Sequence, residues 1–175
     1  MNYPVWELTW IGGPTLIAIM AVVHVYVAHL AVGGGLFLWL TDLKGYRESD
    51  GAVHTYLKKY IVFFVLLTNV FGAVTGVGIW FIIALVSPAA TTTLIHTFVF
   101  GWAIEYVFFV GEIVSVLIYF YFFDRLTREQ RLWLAGLYFV FAWLSLFVIN
   151  GIIDFMLTPG GWLQNHDFWA GRFLR

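Results

Sequence analysis

Two carboxylates lie inside one long apolar stretch of this sequence, WAIEYVFFVGEIVSVLIYFYFFDRL at residues 102–126. Glu105 and Glu112 are seven residues apart, which is two turns of a helix, so they are predicted to share one helix face. An ionisable side chain deep in a bilayer costs at least about 2.5 kcal/mol on insertion scales. Such groups are predicted to handle protons or bind a ligand, unless a hydrogen-bonded pair holds them for helix packing.

Three histidines in or next to apolar runs can ligate a metal through an imidazole nitrogen: His24, His29 and His96. At about 1.5 Å per residue, His24 and Glu105 are predicted at one membrane depth, and His29 and Glu112 at another. Five residues turn His29 roughly 140° away from His24, so these two do not share one small pocket. Two roles fit: axial ligands of haem iron beside a carboxylate, or a proton relay without a cofactor.

The composition places the chain among membrane proteins. Of its 175 residues, 62% are hydrophobic and only 11% are charged, whereas soluble domains average about 25% charged residues. A net charge of −1 leaves no basic surface for phosphates, so no nucleic-acid partner is expected. The sequence has no cysteine, which excludes disulfides, thiolate metal sites and a haem attached through Cys-x-x-Cys-His in this chain. The lipid bilayer is therefore the first expected partner.

Runs free of Lys, Arg, Asp and Glu mark the membrane spans. They cover residues 8–41, 60–104 and 132–153, and the middle run is long enough for two helices separated by a turn, SPAATTT at 87–93. We predict an all-α integral membrane four-helix bundle forming a single domain over residues 1–175. Its helices are predicted at about 12–41, 57–86, 95–123 and 131–158.

Basic residues concentrate in the first and third loops, whereas the second loop has none; they are Lys44, Arg47, Lys58, Lys59, Arg125, Arg128 and Arg131. By the positive-inside rule these two loops are cytoplasmic and both termini lie outside. The tail at 159–175 interleaves aromatic and polar residues. It is predicted either to lie in the outer interface or to be ordered by a partner subunit.

The second predicted helix carries a glycine motif, FGAVTGVGIW, in which Gly72 and Gly76 are four residues apart. Small residues at this spacing let two membrane helices pack closely. A backbone without side chains also suits the flat face of a macrocycle. Both interpretations of Gly72 and Gly76 stay open at this point.

Together these motifs resemble the N-terminal four-helix part of the large quinol-oxidising subunit of cytochrome bd oxidases. The similarity is collinear over residues 12 to about 160. His24, followed nine residues later by Gly33, resembles the family's haem-ligand helix. GAVTG at 72–76 is similar to its glycine-rich segment, and AIEYVFFVGE at 103–112 resembles its pair of buried glutamates.

The resemblance implies a subunit that binds one or two b-type haems, with a quinone as a further candidate ligand. His24 would be the first axial ligand of the iron. Glu105 would be the second ligand or a proton acceptor, and Glu112 would lie on a proton path. His29 and His96 are the candidate iron ligands for a second haem. Gly72 and Gly76 would line the haem pocket.

The chain also departs from the family's pattern. Its glutamates are seven residues apart where the family has eight, and the sequence ends where the family continues with its quinol-binding loop. We therefore expect a subunit of a quinol-linked oxidoreductase, not a complete oxidase. Other membrane subunits and a c-type cytochrome on the outer side are the expected partners, in the cytoplasmic membrane of a bacterium or archaeon. The alternatives are a cofactor-free proton or ion conductor and a structural membrane anchor.

Overall fold

The computed structural model describes residues 5–48 and 51–157, and these residues are almost entirely helical. Four helical stretches are long and apolar enough to cross a membrane: Gly13–Glu48, Gly51–Val86, Val99–Tyr121 and Arg128–Phe155. The chain is thus a multi-pass membrane protein, and the predicted all-α membrane bundle is confirmed. The tail predicted at the outer interface, 159–175, lies outside the described residues.

The helices are α1 (Gly13–Glu48), α2 (Gly51–Val65), α3 (Gly72–Val86), α4 (Pro88–Thr97), α5 (Val99–Tyr121) and α6 (Arg128–Leu157). A π-helical segment, Leu66–Phe71, joins α2 to α3 into one continuous rod. Helix α1 packs against α6 and against the α2–α3 rod, while α5 packs against α6 and α2. Helices α1 and α5 therefore face each other diagonally across the bundle.

The turn predicted at 87–93 is wrong, because only Ser87 breaks the chain there and Pro88 starts α4. Proline suits the first helical position, where its missing N–H costs nothing. The hydroxyls of Thr91 and Thr92 donate to carbonyls one turn back, both at 2.9 Å, so these polar residues are satisfied within the helix. A second break comes at Phe98, which separates α4 from α5 and divides the helix predicted at 95–123.

Three other boundaries differ from the prediction because polar residues extend the helices beyond the apolar runs. Helix α1 continues to Glu48, and the second rod already begins at Gly51. Helix α6 begins at Arg128 after a capping box: Gln130 N donates to Thr127 Oγ1 at 3.2 Å, and Thr127 N donates to Gln130 Oε1 at 2.9 Å. This reciprocal pair satisfies two backbone N–H groups that a helix start leaves open.

The main hydrophobic core lies in the half of the bundle that carries the first and third loops. We call this the basic end, since its loops hold the clustered lysines and arginines. Gly34 and Gly35 allow close approach here: a Cβ on Gly34 would lie 2.5 Å from the Phe64 ring, and one on Gly35 would lie 2.5 Å from Tyr138. A smaller cluster around Phe98 and Phe155 closes the other end, which we call the opposite end.

Contacts between the two basic loops confirm that both lie at the same end of the bundle. Lys58 on α2 forms an ion pair with Asp124, which follows α5. Asp42 on α1 is buried against Tyr119 and Arg131, whose side chains come from α5 and α6. The side of the membrane on which this end lies stays a prediction from the positive-inside rule.

Candidate functional site

Both carboxylates of α5 face α6, where each accepts a hydrogen bond from a hydroxyl. Ser145 Oγ donates to Glu105 Oε1 at 2.7 Å, and Tyr138 OH donates to Glu112 Oε1 at 3.1 Å. The two hydroxyl residues are themselves seven positions apart, so the two pairs form successive rungs between α5 and α6. The predicted sharing of one helix face by Glu105 and Glu112 is confirmed.

The closeness of the two helices follows from Gly111, which lies between the rungs. A Cβ at Gly111 would lie 2.8 Å from the Phe141 ring, so any larger residue would push α5 away from α6. With glycine there, the short Ser145 side chain still reaches Glu105. Gly111 therefore lets α5 lie close enough to α6 for both carboxylates to reach their hydroxyl partners.

Tyr138 connects this interface to the middle of the bundle. Its side chain is 1% exposed, its ring packs edge-on against Phe64 with centroids 5.4 Å apart, and its hydroxyl also faces the side chain of Thr68. Thr68 lies in the π-helical segment, and Asn69 Nδ2 donates to its Oγ1 at 3.3 Å. Short π-helical segments recur at functional sites because they disturb the regular backbone ladder. Polar side chains thus lie next to one another from Asn69 to Glu112, with the Thr68 hydroxyl donating to Phe64 O and the Tyr138 hydroxyl donating to Glu112.

His24 faces α3 and not the carboxylates. Its Nδ1 lies 3.0 Å from Thr75 Oγ1, and that oxygen lies 2.9 Å from Phe71 O and 3.0 Å from Gly72 O. The single hydroxyl hydrogen of Thr75 is directed to these carbonyls, so the hydroxyl accepts a hydrogen bond from His24. We therefore assign the ring proton of His24 to Nδ1, which leaves the lone pair on Nε2.

The glycines of the FGAVTGVGIW motif face α1. A Cβ on Gly76 would lie 3.0 Å from His24 Cε1, and one on Gly72 would lie 3.3 Å from Val27 Cγ1. Close helix packing is therefore what both glycines provide in this structure. Gly76 additionally gives the His24 ring its position against the α3 backbone.

The other two predicted ligands, His29 and His96, are exposed on the outside of their helices. His29 Nδ1 donates to Val25 O at 2.8 Å, and His96 Nδ1 donates to Thr92 O at 3.2 Å. Each histidine thus uses one nitrogen within its own helix and presents Nε2 outward. The predicted divergence of His29 from His24 agrees with their different surroundings.

The pairing suggested by membrane depth is not what the hydrogen bonds show. His24 bonds to α3, whereas Glu105 and Glu112 bond to α6, and α1 and α5 are diagonal neighbours. Depth alone places two residues at one level but does not say which helices are adjacent. His24 therefore lies in the interface of α1 with α3, and Glu105 lies in the interface of α5 with α6.

The half of the bundle that holds His24 and Glu105 buries few side chains. Among the described residues, α1 has no buried residue before Val27 and α5 has none before Ser115. His24 and Glu105 themselves are half-buried. Most of the buried core lies instead at the basic end.

A haem fits this donor set through one residue in particular. His24 offers Nε2 with Nδ1 held by a hydrogen bond, which is the usual arrangement of an iron-ligating histidine. Glu105 is hydrogen-bonded to α6, so the structure does not place it beside His24 as a second ligand. A bare metal ion fits less well, since the described part of the chain holds no group of three or more histidine, aspartate and glutamate side chains that could bind one.

Comparisons with known proteins do not identify the chain. No protein-family model matches it, and no curated protein or solved structure is significantly similar to it. The resemblance to cytochrome bd therefore stays a prediction from the sequence motifs.

Sequence reasoning missed several residues of this region. Ser145 and Tyr138 lie in an apolar run with no charge to draw attention, although their seven-residue spacing matches that of the glutamates. Thr68 became part of the network because of the π-helical segment, which hydropathy does not reveal. Thr75 lies within the FGAVTGVGIW motif, where the glycines drew the attention, and the structure places its hydroxyl beside His24.

Proposed function

We propose that this chain is a haem-b-binding membrane subunit that transfers electrons between a quinone pool and an external redox partner. The observation that carries the proposal is the geometry of His24: a half-buried imidazole, fixed through Nδ1 by Thr75, with Nε2 left for a ligand. The motifs of the cytochrome bd type support the same function. One or two haems and a quinone are the ligands we propose.

In this function the protein residues hold the ligand and its protons. His24 Nε2 would hold the iron, and the hydrogen bond from Nδ1 to Thr75 would fix the ring and strengthen the imidazole as a donor. A bound haem b would supply a one-electron couple between ferric and ferrous iron. Glu105 would hold a proton, with Ser145 keeping its carboxyl oriented. Glu112 passes protons toward Tyr138, whose hydroxyl already contacts it.

The proposed setting follows from the same function. We propose that the chain works with other membrane subunits and with a c-type cytochrome on the outer side, in the cytoplasmic membrane of a bacterium or archaeon. The chain holds no cysteine for an attached haem, so that haem would have to lie on a partner. His29 and His96 present Nε2 outward and are our candidates for binding a second haem at a subunit interface.

The haem content of the native complex tests this function. A pyridine haemochrome assay on the complex isolated from membranes is expected to give one or two b-type haems per copy of the chain. The proposal would be contradicted if none of the chromatographic fractions that contain this chain also contained haem.

A second candidate function, proton conduction without a cofactor, is favoured by the chain of polar groups from Asn69 through Thr68 and Tyr138 to Glu112. Such a chain inside a membrane bundle is costly unless it is used or fully hydrogen-bonded. An experiment can distinguish the two functions, because a cofactor-free conductor moves protons into liposomes although the protein shows no visible haem absorbance.

A further inference from the structure

The basic end of the bundle contains a cavity that the electron-transfer function does not use. It has a volume of about 160 Å³ and lies between α1, α2 and α6. Its polar lining consists of Asp42, His54, Arg128 and Arg131. At roughly 30 Å³ per water molecule, the cavity holds about five waters or one small ion with part of its hydration shell.

Arg131 is the unusual member of this lining. The residue is 6% exposed, its guanidinium lies 4.9 Å from the centre of the Phe123 ring, and Nη2 lies 3.6 Å from Asp42 Oδ1. Its Nε–H has no hydrogen-bond partner among the described residues. A buried charged donor without an acceptor is unfavourable, so an acceptor that is not part of this chain is expected at that position.

The polar lining of the cavity indicates an anionic acceptor. Asp42 already receives the Tyr119 hydroxyl at 3.0 Å and the adjacent Arg131 guanidinium. Arg128 contributes a second guanidinium to the same lining. Two guanidinium groups in one lining favour an anion, because each donates several hydrogen bonds and accepts none.

We propose that this cavity binds a phosphate group, whose oxygens accept hydrogen bonds from Arg131 Nε–H and from the Arg128 guanidinium. Guanidinium groups suit phosphate because their planar donors match the spacing of its oxygens. The cavity lies at the helix ends, where basic pockets between membrane helices receive lipid head groups. The phosphate comes either from an anionic phospholipid or from the free ion. The site is independent of haem binding, because none of its residues belongs to the proposed haem environment.

Calorimetric titration of the purified full chain in an uncharged detergent tests the site. The two probes are a short-chain phosphatidylglycerol and sodium phosphate. Sodium chloride at matched ionic strength is the control titrant. Arg131→Lys keeps a positive charge beside Asp42 but removes the Nε–H, and Arg128→Gln removes the second arginine from the cavity lining. Lys59→Gln is the matched control, since it removes an exposed positive charge at the same end outside the cavity.

The expected result is saturable binding of phosphatidylglycerol, of phosphate or of both, weakened about tenfold by Arg131→Lys and by Arg128→Gln. Lys59→Gln is expected to bind like the wild type. Binding of the lipid alone assigns the site to a head group, and binding of free phosphate as well assigns it to the ion. The proposal is overturned if neither probe binds saturably, or if Lys59→Gln weakens binding as much as Arg128→Gln does. Should Arg131→Lys fail to fold, Arg128→Gln still decides between these outcomes.

Discussion

His24 and Thr75 are joined across the interface of α1 and α3 by a hydrogen bond of 3.0 Å between Nδ1 and Oγ1. The Thr75 hydroxyl is itself held by carbonyls of its own helix, so it has an acceptor position but no second hydrogen to offer. The imidazole is thereby fixed in one tautomer, with Nε2 left to bind a ligand. This relationship underlies the proposed role of His24 and provides its first test.

Replacing Thr75 by valine keeps the shape of the side chain and removes the hydroxyl acceptor for His24, leaving the Gly72 carbonyl as its other partner. Loss of such a supporting hydrogen bond lowers metal affinity by about 10- to 100-fold in other histidine sites. In a titration with a haem-binding competitor, we expect Thr75→Val to lose its haem at a competitor concentration about 10- to 100-fold lower than the wild type does. Thr55→Val is the control, because Thr55 is exposed and bonds to Gly51 O in its own helix. Equal haem retention in the two variants would show that Thr75 does not support an iron ligand.

Two nearby glycines of α1, Gly33 and Gly35, are expected to tolerate replacement by alanine very differently. Gly35→Ala would place a methyl group 2.5 Å from the Tyr138 ring, whereas nothing lies within 4 Å of a Cβ at Gly33. Overpacking of this kind costs about 1–3 kcal/mol, so Gly35→Ala is expected to lower the melting temperature measurably. Gly33→Ala is expected to leave it unchanged or raise it slightly, since alanine favours a helix more than glycine does. Thermal unfolding of both variants in detergent measures the difference, and equal melting temperatures would contradict the packing described here.

The Glu112–Tyr138 pair makes a prediction about proton movement. Tyr138→Phe removes the hydroxyl that links Glu112 to the polar residues of the π-helical segment. If protons pass along this route, the variant is expected to reduce proton uptake into proteoliposomes, measured with an internal pH dye under an imposed potential. Its stability is expected to fall by about 0.6 kcal/mol, the average for hydrogen bonds between membrane helices, and by no more than about 1.7 kcal/mol. Tyr106→Phe, on the lipid-exposed face of α5, is the control.

The outcome of that experiment bears on both candidate functions. Uptake that is lost in Tyr138→Phe and retained in Tyr106→Phe supports a route through Glu112. Unchanged uptake in both variants would mean that the Tyr138 hydroxyl serves helix packing alone.

The ion pair between Lys58 and Asp124 predicts a dependence of stability on acid. The hydrogen bond from the Lys58 ammonium lowers the pKa of Asp124 below its ordinary value of 3.8. A carboxyl whose pKa is lower in the folded state stabilises that state above its unfolded pKa, and the contribution is lost as pH falls through the folded pKa. We expect Asp124→Asn to reduce the loss of melting temperature between pH 5 and pH 3. Because both groups are exposed, the effect is small and shrinks in high salt. A wild-type profile identical to that of Asp124→Asn would contradict this assignment.

Much of the bundle was predictable because charge is so costly in lipid. Uncharged runs located the spans, and the seven-residue spacing of the glutamates gave their common face. The partners were not predictable, since hydropathy gives the depth of Glu105 but not the identity of the helix beside it. Ser145 and Tyr138 carry no charge and lie in an apolar run, so they did not stand out in the sequence.

Arg131 shows the same limit at the basic end. Sequence alone places it among the loop charges, where most arginines are solvated. The structure buries it against Asp42 and Phe123, because the capping box at Thr127 starts α6 early and brings Arg131 into the first turn. The sequence composition indicates whether Arg131 lies near a loop or in a helix. It does not indicate which residues of other helices bury its charge.

The visible difference spectrum, dithionite-reduced minus oxidised, tests the central claim most directly. It is recorded on the complex isolated with its native partners, for wild type, His24→Ala and His54→Ala, the last being a histidine outside the predicted ligand set. We expect sharp α and Soret bands of b-type haem in the wild type and His54→Ala, and clearly weaker bands in His24→Ala. A spectrum without these bands in the wild type, or bands of full strength in His24→Ala, would contradict the assignment of His24 as a haem ligand.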